Sequence, residues 1–74
     1  MLLPKKSSFV TTNLQACNEE GITQAVKNFL HKHTTLIKIY VSTNNYEKIH
    51  RDQINGVPVY AGSGVSDHEI TFVS

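Results

Sequence analysis

Cysteine is nearly missing from this chain, and its scarcity excludes whole classes of site. Cys17 is the only cysteine in 74 residues. A single thiol cannot form an internal disulfide, and it cannot supply a four-cysteine zinc or iron–sulfur site. A reducing compartment therefore fits the chain best.

Long apolar runs are missing as well. No stretch approaches the roughly 18 consecutive apolar residues of a membrane span. No apolar run of signal-peptide length follows Lys5 and Lys6. We therefore expect a cytoplasmic protein that is not exported by the usual route and has no membrane partner.

Proline is rare, and charged residues make up only 18% of the chain against 39% hydrophobic residues. This composition is typical of an ordered globular domain and not of a disordered tail. The length predicts one compact domain over residues 1–74. The core of so small a domain stabilises the fold by only about a few kcal/mol. Association with a partner or a second copy would therefore add to the stability of the folded state.

The formal net charge is only +1, but the charges are unevenly distributed. All seven lysine and arginine residues lie within residues 1–51, whereas residues 52–74 hold three acids and no base. Such asymmetry either lets the two parts attract one another within the fold or guides a partner. We favour the first interpretation.

The strongest positive signal is an amphipathic helix from Asn18 to His33. Five apolar residues recur at helical spacing on one face: Ile22, Ala25, Val26, Phe29 and Leu30. Asn18 is the predicted N-cap, and Glu19 and Glu20 follow it where the helix dipole favours negative charge. Lys32 and His33 lie at the opposite end, where cations are favoured.

The remaining segments are typical of strands and one short helix. Strands are predicted over residues 8–12, 36–41, 57–60 and 68–73, and a short helix runs from a cap among residues 42–44 to about His50. Leu14–Cys17 is alternatively an early helical turn. Pro58 makes its strand an edge strand or one that pairs on one side only at that point.

We interpret the last two strands as a hairpin joined by a loop over residues 62–67, which begins with Gly62-Ser63-Gly64, after a turn at Asn55-Gly56. The predicted fold class is α+β: a small single-layer, mainly antiparallel sheet of three to four strands. The main helix packs on one face, and the second helix is short. The predicted core residues are Val10, Ile22, Val26, Phe29, Leu30, Ile37, Ile39, Val41, Ile49, Val59, Ile70 and Phe72.

Candidate chemical groups are few and lack the spacing of known sites. Four histidines are the only ligand-type set, at positions 31, 33, 50 and 68, and they show neither C-x-x-C nor H-E-x-x-H spacing. Cys17 precedes a helix start that would favour a thiolate, but it lacks a partner signature. The Gly62 loop runs between strands and not into a helix, unlike a phosphate loop. We predict no catalytic, cofactor-binding or metal-ligating residue, and no enzyme.

The best functional candidate is a basic set with an accompanying tyrosine. It comprises Lys27, His31, Lys32, Tyr46, Lys48 and Arg51. Lysines on a polar helix face are most often simply solvated, but together these residues would attract phosphates or an acidic protein.

Our first hypothesis is a small non-enzymatic protein-binding module: an inhibitor, adaptor or assembly factor that acts through a sheet edge or charged surface. Its partner would be another protein or a second copy of itself. Size alone favours a phage or mobile-element source. The alternative is a nucleic-acid-binding module that uses Lys27, Lys32, Lys48 and Arg51, and the third hypothesis is an enzyme or metal protein built on Cys17 and the histidines.

Overall fold

The computed structural model describes residues 8–32 and 35–74. The elements in chain order are strand β1 (Phe9–Asn13), helix α1 (Glu19–Lys32), strand β2 (Lys38–Val41), helix α2 (Thr43–Ile49), and strands β3 (Gln53–Ile54), β4 (Val57–Ala61) and β5 (Glu69–Val73). The described part is therefore a small α+β fold, as predicted, with two helices and a mixed open sheet of five strands. The predicted helix end at His33 lies outside the described residues.

The sheet has the strand order β1-β5-β2-β4-β3. β5 pairs antiparallel with both β1 and β2, β4 pairs antiparallel with β3, and β2 and β4 are parallel. The predicted hairpin between the last two strands is therefore wrong, because β2 lies between them. The sheet has five strands instead of the expected three to four, because Gln53–Ile54 forms a strand that was not predicted. The parallel pairing of β4 with β2 makes the sheet mixed.

Both helices begin where a side chain caps them. The Asn18 Oδ1 atom accepts a hydrogen bond from the Gly21 amide at 2.8 Å, which confirms Asn18 as the cap of α1. Ser42 caps α2, its Oγ atom accepting from the Asn45 amide at 3.1 Å. α2 ends at Ile49, and its C-cap residue His50 has a positive φ of 48°.

One face of the sheet is covered by the helices. Residues of α1 and α2 belong to the same buried cluster as alternate residues of β2, β4 and β5. Register places Ile39 beside Phe72 and Val59, and Val41 beside Ile70. The side chains between them, such as Lys38 and Tyr40, therefore point to the other face, which neither helix covers.

The core differs from prediction mainly at the margins of the sheet. Val10 is 47% exposed and Ile37 is 52% exposed, so both were wrong as core residues. Phe29 and Leu30 are only partly buried against the cluster. Val10 lies on the outermost strand, where alternation alone cannot ensure burial. Four buried hydrophobic residues were not predicted: Leu14, Ile54, Val57 and Val73.

The strand that contains Pro58 lies inside the sheet, so its expected edge position is wrong. The other predicted possibility, that the strand pairs on one side only at Pro58, is correct. Pro58 pairs with Gln53 of β3, whereas pairing with β2 begins at Val59. Asn55 and Gly56 form the turn between β3 and β4, with φ of 52° and 81°. Two positive φ angles are typical of the tight hairpin turn that an Asn-Gly pair favours.

Candidate functional site

The outer edge of β1 is the most distinctive exposed feature of the described fold. Ser8 and Ser74 exchange two backbone hydrogen bonds at 2.9 and 3.0 Å, and the Leu14 amide donates to the His68 carbonyl at 2.7 Å. Along an antiparallel ladder, hydrogen-bonded pairs alternate with pairs that are not hydrogen-bonded. The backbone amides and carbonyls of successive β1 residues between these two points therefore point alternately toward β5 and away from it. The amides and carbonyls of Phe9, Thr11 and Asn13 therefore point away from β5, and no described strand pairs with them.

Within the residues that the structure describes, this edge lacks the features that usually protect a sheet margin. β1 is five residues long, contains no proline or charged residue, and keeps an unbroken register with β5. Phe9 is 65% exposed, and Val10 is also exposed. The opposite margin, β3, is only two residues long. Because natural sheets shorten, charge or bend their free edges, an unprotected edge marks a place for another strand.

A groove of about 850 Å³ runs between β1 and α1 on the helix-covered side. It arises because α1 is seated over β5: the Phe29 ring stacks on the Phe72 ring, with centroids 4.3 Å apart. The helix therefore leaves the inward face of β1 uncovered. The apolar part of the lining consists of Val10, Ala16, Ala25, Phe29 and Phe72.

Polar side chains occur along the same groove. Gln24 and Asn28 line it from α1, and their side chains are joined by a hydrogen bond of 3.0 Å. Glu20 lies in the first turn of α1 and Lys32 in the last, so the lining carries opposite charges about 18 Å apart along the helix axis. The groove can therefore accept a segment with apolar side chains at its middle and polar groups at its ends.

The predicted basic set does not gather at one place. Arg51 lies beside the start of α1, where its Nε atom is 3.0 Å from the Glu19 Oε1 atom. His31 and Lys32 are at the other end of the same helix, about 20 Å from Glu19 along its axis. Lys32 lines the groove beside β1, whereas Lys27 is exposed on α1.

Two members of the set, Tyr46 on α2 and Arg51 just after it, line a second, smaller hollow of about 360 Å³. Its lining is Tyr46, Glu47, His50, Arg51 and Asp52. Two carboxylates thus lie beside Arg51 in this hollow, in addition to its partner Glu19. The positive charge predicted here is therefore largely balanced by acids close to it.

Lys48 lies near an acidic group that the sequence did not single out. Hydrogen bonds from Ser42 and Asn44 hold the pKa of the Asp67 carboxyl below its usual value, and the charges of Lys48 and His68 act in the same direction. The Asn44 Nδ2 atom is 3.4 Å from both Asp67 carboxylate oxygens. This network joins α2 to the loop before β5.

The buried side chain of Asn45 strengthens the same connection. Its Nδ2 atom donates to the Asp67 carbonyl at 2.7 Å, while its Oδ1 atom has no hydrogen-bond partner among the described residues. Asn45 is 1% exposed. Its amide group therefore fixes the loop before β5 against α2, which is a structural role.

The remaining candidates stay apart. Cys17 is exposed, as are His31, His50 and His68, while His33 lies outside the described residues. Within residues 8–32 and 35–74, no three histidine, cysteine or acidic side chains are grouped so that they could hold a metal ion. In the glycine loop, the Gly62 amide donates to the Val41 carbonyl at 2.8 Å, so it already has a partner within the fold.

No protein-family profile, curated protein or solved structure matches the chain. Among the described helices, none is both long and apolar enough to cross a membrane.

Proposed function

We propose that the chain is a non-enzymatic protein-binding module that takes an extended segment of another protein onto the free edge of β1. It would act as an inhibitor, adaptor or assembly factor in the cytoplasm. The observation that carries this proposal is the row of outward-pointing backbone groups at Phe9, Thr11 and Asn13, which follows from the pairing of β1 with β5.

Backbone pairing supplies the affinity in this mode of binding. Each of the three outward residues offers one donor and one acceptor, and each hydrogen bond contributes about 0.5–1.5 kcal/mol net. The strand is already held by β5, so little ordering of β1 accompanies binding. A partner segment of about five residues would match the length of β1.

The groove supplies specificity, because alternate side chains of an added strand point to the same face as Val10 and Thr12. Both residues line the groove. An added segment would therefore place every second side chain between β1 and α1. Since Phe29 and Phe72 line the same groove, apolar residues are expected at these alternate positions.

A second mode, nucleic-acid binding through Lys27, Lys32, Lys48 and Arg51, has weaker support from the geometry. Arg51 is paired with Glu19 at the start of α1, and Glu19 lies about 20 Å from Lys32 along the helix axis. We therefore place the protein-binding edge first.

A displayed library of random 12-residue peptides, selected on the immobilised chain, tests the proposal. We expect the selected peptides to carry apolar residues at alternate positions. On binding, the amides of Phe9, Thr11 and Asn13 should become protected from hydrogen exchange measured by NMR. Peptides that bind without protecting these three amides would overturn the proposal.

Two variants at one position separate backbone pairing from side-chain contact. Thr11→Pro removes an outward N–H, whereas Thr11→Val keeps it; both remove the hydroxyl that bonds the Thr71 hydroxyl at 2.8 Å. The selected peptides should bind the Val variant like the parent chain and bind the Pro variant at least about tenfold more weakly. Equal binding to both variants would contradict edge pairing. Should the Pro variant not fold, the exchange measurement on the parent chain decides.

A further inference from the structure

The face of the sheet that neither helix covers carries two tyrosines and a lysine, which we name the open-face cluster (Lys38, Tyr40 and Tyr60). Tyr40 and Tyr60 are partners in the parallel pairing of β2 with β4. Their ring centroids lie 5.9 Å apart, with 41° between the ring planes. The Lys38 Nζ atom is 5.4 Å from the Tyr40 centroid and 5.6 Å from the Tyr60 centroid, so one cation lies against both rings.

Strand alternation is the reason that these groups meet. Ile39 and Val41 point into the core, which turns Lys38 and Tyr40 to the opposite face. Val59 is likewise buried, so Tyr60 points outward and is 48% exposed. The rings are held by the backbone of two central strands and not by a mobile loop.

A flat polar row extends from the rings toward β1. Register aligns Thr11, Thr71, Tyr40 and Tyr60 across four neighbouring strands, and the hydroxyls of Thr11 and Thr71 are hydrogen-bonded. Four strands span about 14 Å. Phe9 lies on the same face at the margin, where it is 65% exposed. This length accommodates two or three successive nucleobases.

The charge near the rings is positive. Lys38 lies where β2 begins, and the nearest carboxylate on this face of the described strands is Glu69, at the far end of β5. Lys38 pairs with Val73, so about 13 Å of strand separates it from Glu69, which is more than a Debye length at physiological salt. The Glu69 carboxylate also accepts a hydrogen bond from the Ser66 hydroxyl at 2.8 Å. The Glu69 carboxylate would therefore exert little repulsion on a phosphate beside Lys38.

We propose that the open-face cluster binds the unstacked bases of single-stranded nucleic acid, with bases stacking on Tyr40 and Tyr60 while the Lys38 ammonium donates to a backbone phosphate. Aromatic rings on an uncovered sheet, together with a basic side chain, are the elements of such platforms. Stacking tolerates any base because every base has a π-face. The site lies on a different surface from the β1 edge and does not depend on the proposed function.

Tyrosine fluorescence tests the site directly, because the chain has three tyrosines and no tryptophan. In a Tyr46→Phe background the only emitters are the two rings of the cluster. We expect an oligothymidylate of about 12 nucleotides to quench this emission, and a DNA duplex of the same length not to, since its bases are already stacked. Absence of quenching by the single strand would overturn the proposal.

Matched variants then test each group. Tyr60→Phe should preserve affinity measured by fluorescence anisotropy of labelled oligothymidylate, whereas Tyr60→Leu should weaken it by about tenfold through loss of stacking. Lys38→Gln should weaken binding and lower its salt slope by about 0.7, whereas Lys27→Gln, the same charge change on an exposed residue of α1, should not.

Two results would contradict the assignment. One is equal affinity of the Leu and Phe variants at Tyr60. The other is a dimer, seen by sedimentation, that the Tyr60→Leu change dissociates, because a second copy would then be the occupant of this face. Neither result bears on peptide binding at β1, so the two proposals fail separately.

Discussion

The ring of Phe29 on α1 lies parallel to the ring of Phe72 on β5, with 17° between the planes and centroids 4.3 Å apart. This stack holds the main helix over the second strand of the sheet and not over the first. Its position is the reason that the inward face of β1 remains open as a groove.

The Phe29–Phe72 stack should contribute measurable coupling to stability. Phe72→Leu removes ring contacts from a side chain that is 3% exposed, and Phe29→Leu removes the other ring. We expect a coupling free energy of about 1 kcal/mol between the two changes in a double-mutant cycle, measured by urea unfolding. Strictly additive effects would show that the rings pack independently.

Gly21 should reject a methyl group although it lies in a helix. A Cβ atom built there would lie 2.0 Å from the Ala16 carbonyl oxygen. The usual gain of about 1 kcal/mol from replacing helical glycine by alanine should therefore be reversed, and we expect Gly21→Ala to destabilise the chain by about 1–3 kcal/mol.

Gly64 provides the matched control for that change. A Cβ atom there meets nothing within 4 Å. Gly64→Ala should be neutral or stabilise the chain by about 0.4–1 kcal/mol, because alanine restricts the unfolded chain. Thermal unfolding of both variants measures the two effects on stability. A Gly21→Ala change that stabilises the chain would show that α1 is not packed against Ala16.

The Asp67 network should make stability depend on acid. The pKa of Asp67 is lowered in the fold, chiefly by hydrogen bonds from Ser42 and Asn44. Its contribution is therefore present above the unfolded pKa of about 3.9 and is lost as pH falls through the folded pKa. Asp67→Asn should lower the urea midpoint at neutral pH, and the difference from the parent chain should shrink as the pH falls through the folded pKa of Asp67.

An NMR titration provides an independent check of that network. Asn44→Ala removes one donor to the Asp67 carboxylate and leaves the carboxyl itself in place. The pKa of Asp67 should rise toward its usual value in this variant. An unchanged titration would mean that the Asn44 contact is absent in solution.

The ion pair between Arg51 and Glu19 should contribute little, despite its 3.0 Å distance. Their side chains are 58% and 45% exposed, so water and salt screen the attraction. A double-mutant cycle with alanine at both positions should give a coupling below about 1 kcal/mol that declines as sodium chloride is added. Coupling of several kcal/mol would indicate that the pair is shielded from solvent.

The local structure of the chain was largely predictable, because its causes are close together in sequence. Asn18 caps α1 by accepting a hydrogen bond from the amide of Gly21, only three residues further along the chain. Ile22 and Val26 then follow at helical spacing. The Asn55-Gly56 turn was also predictable from two residues. Its hairpin partner β3 was missed because a strand of two residues has no periodicity, although the turn itself was the available signal.

The pairing of strands was not predictable in the same way. Alternation in β5 correctly predicts that Ile70 and Phe72 face the core, but it does not specify which strand lies beside them. Neighbouring strands in a chain often pair, which favoured a hairpin with β4. The open-face cluster was missed for the same reason: Tyr40 and Tyr60 are distant in sequence, and only the parallel register of β2 with β4 brings them together.

The shortness of β3 has a consequence for assembly. A sheet with two long bare margins can add copies head to tail without limit and grow into a fibre, whereas this sheet ends in a strand of two residues on one side. In the proposed mode of binding, strand addition at β1 would therefore stop after one partner segment. Such a sheet would accept one added strand without favouring growth into a fibre.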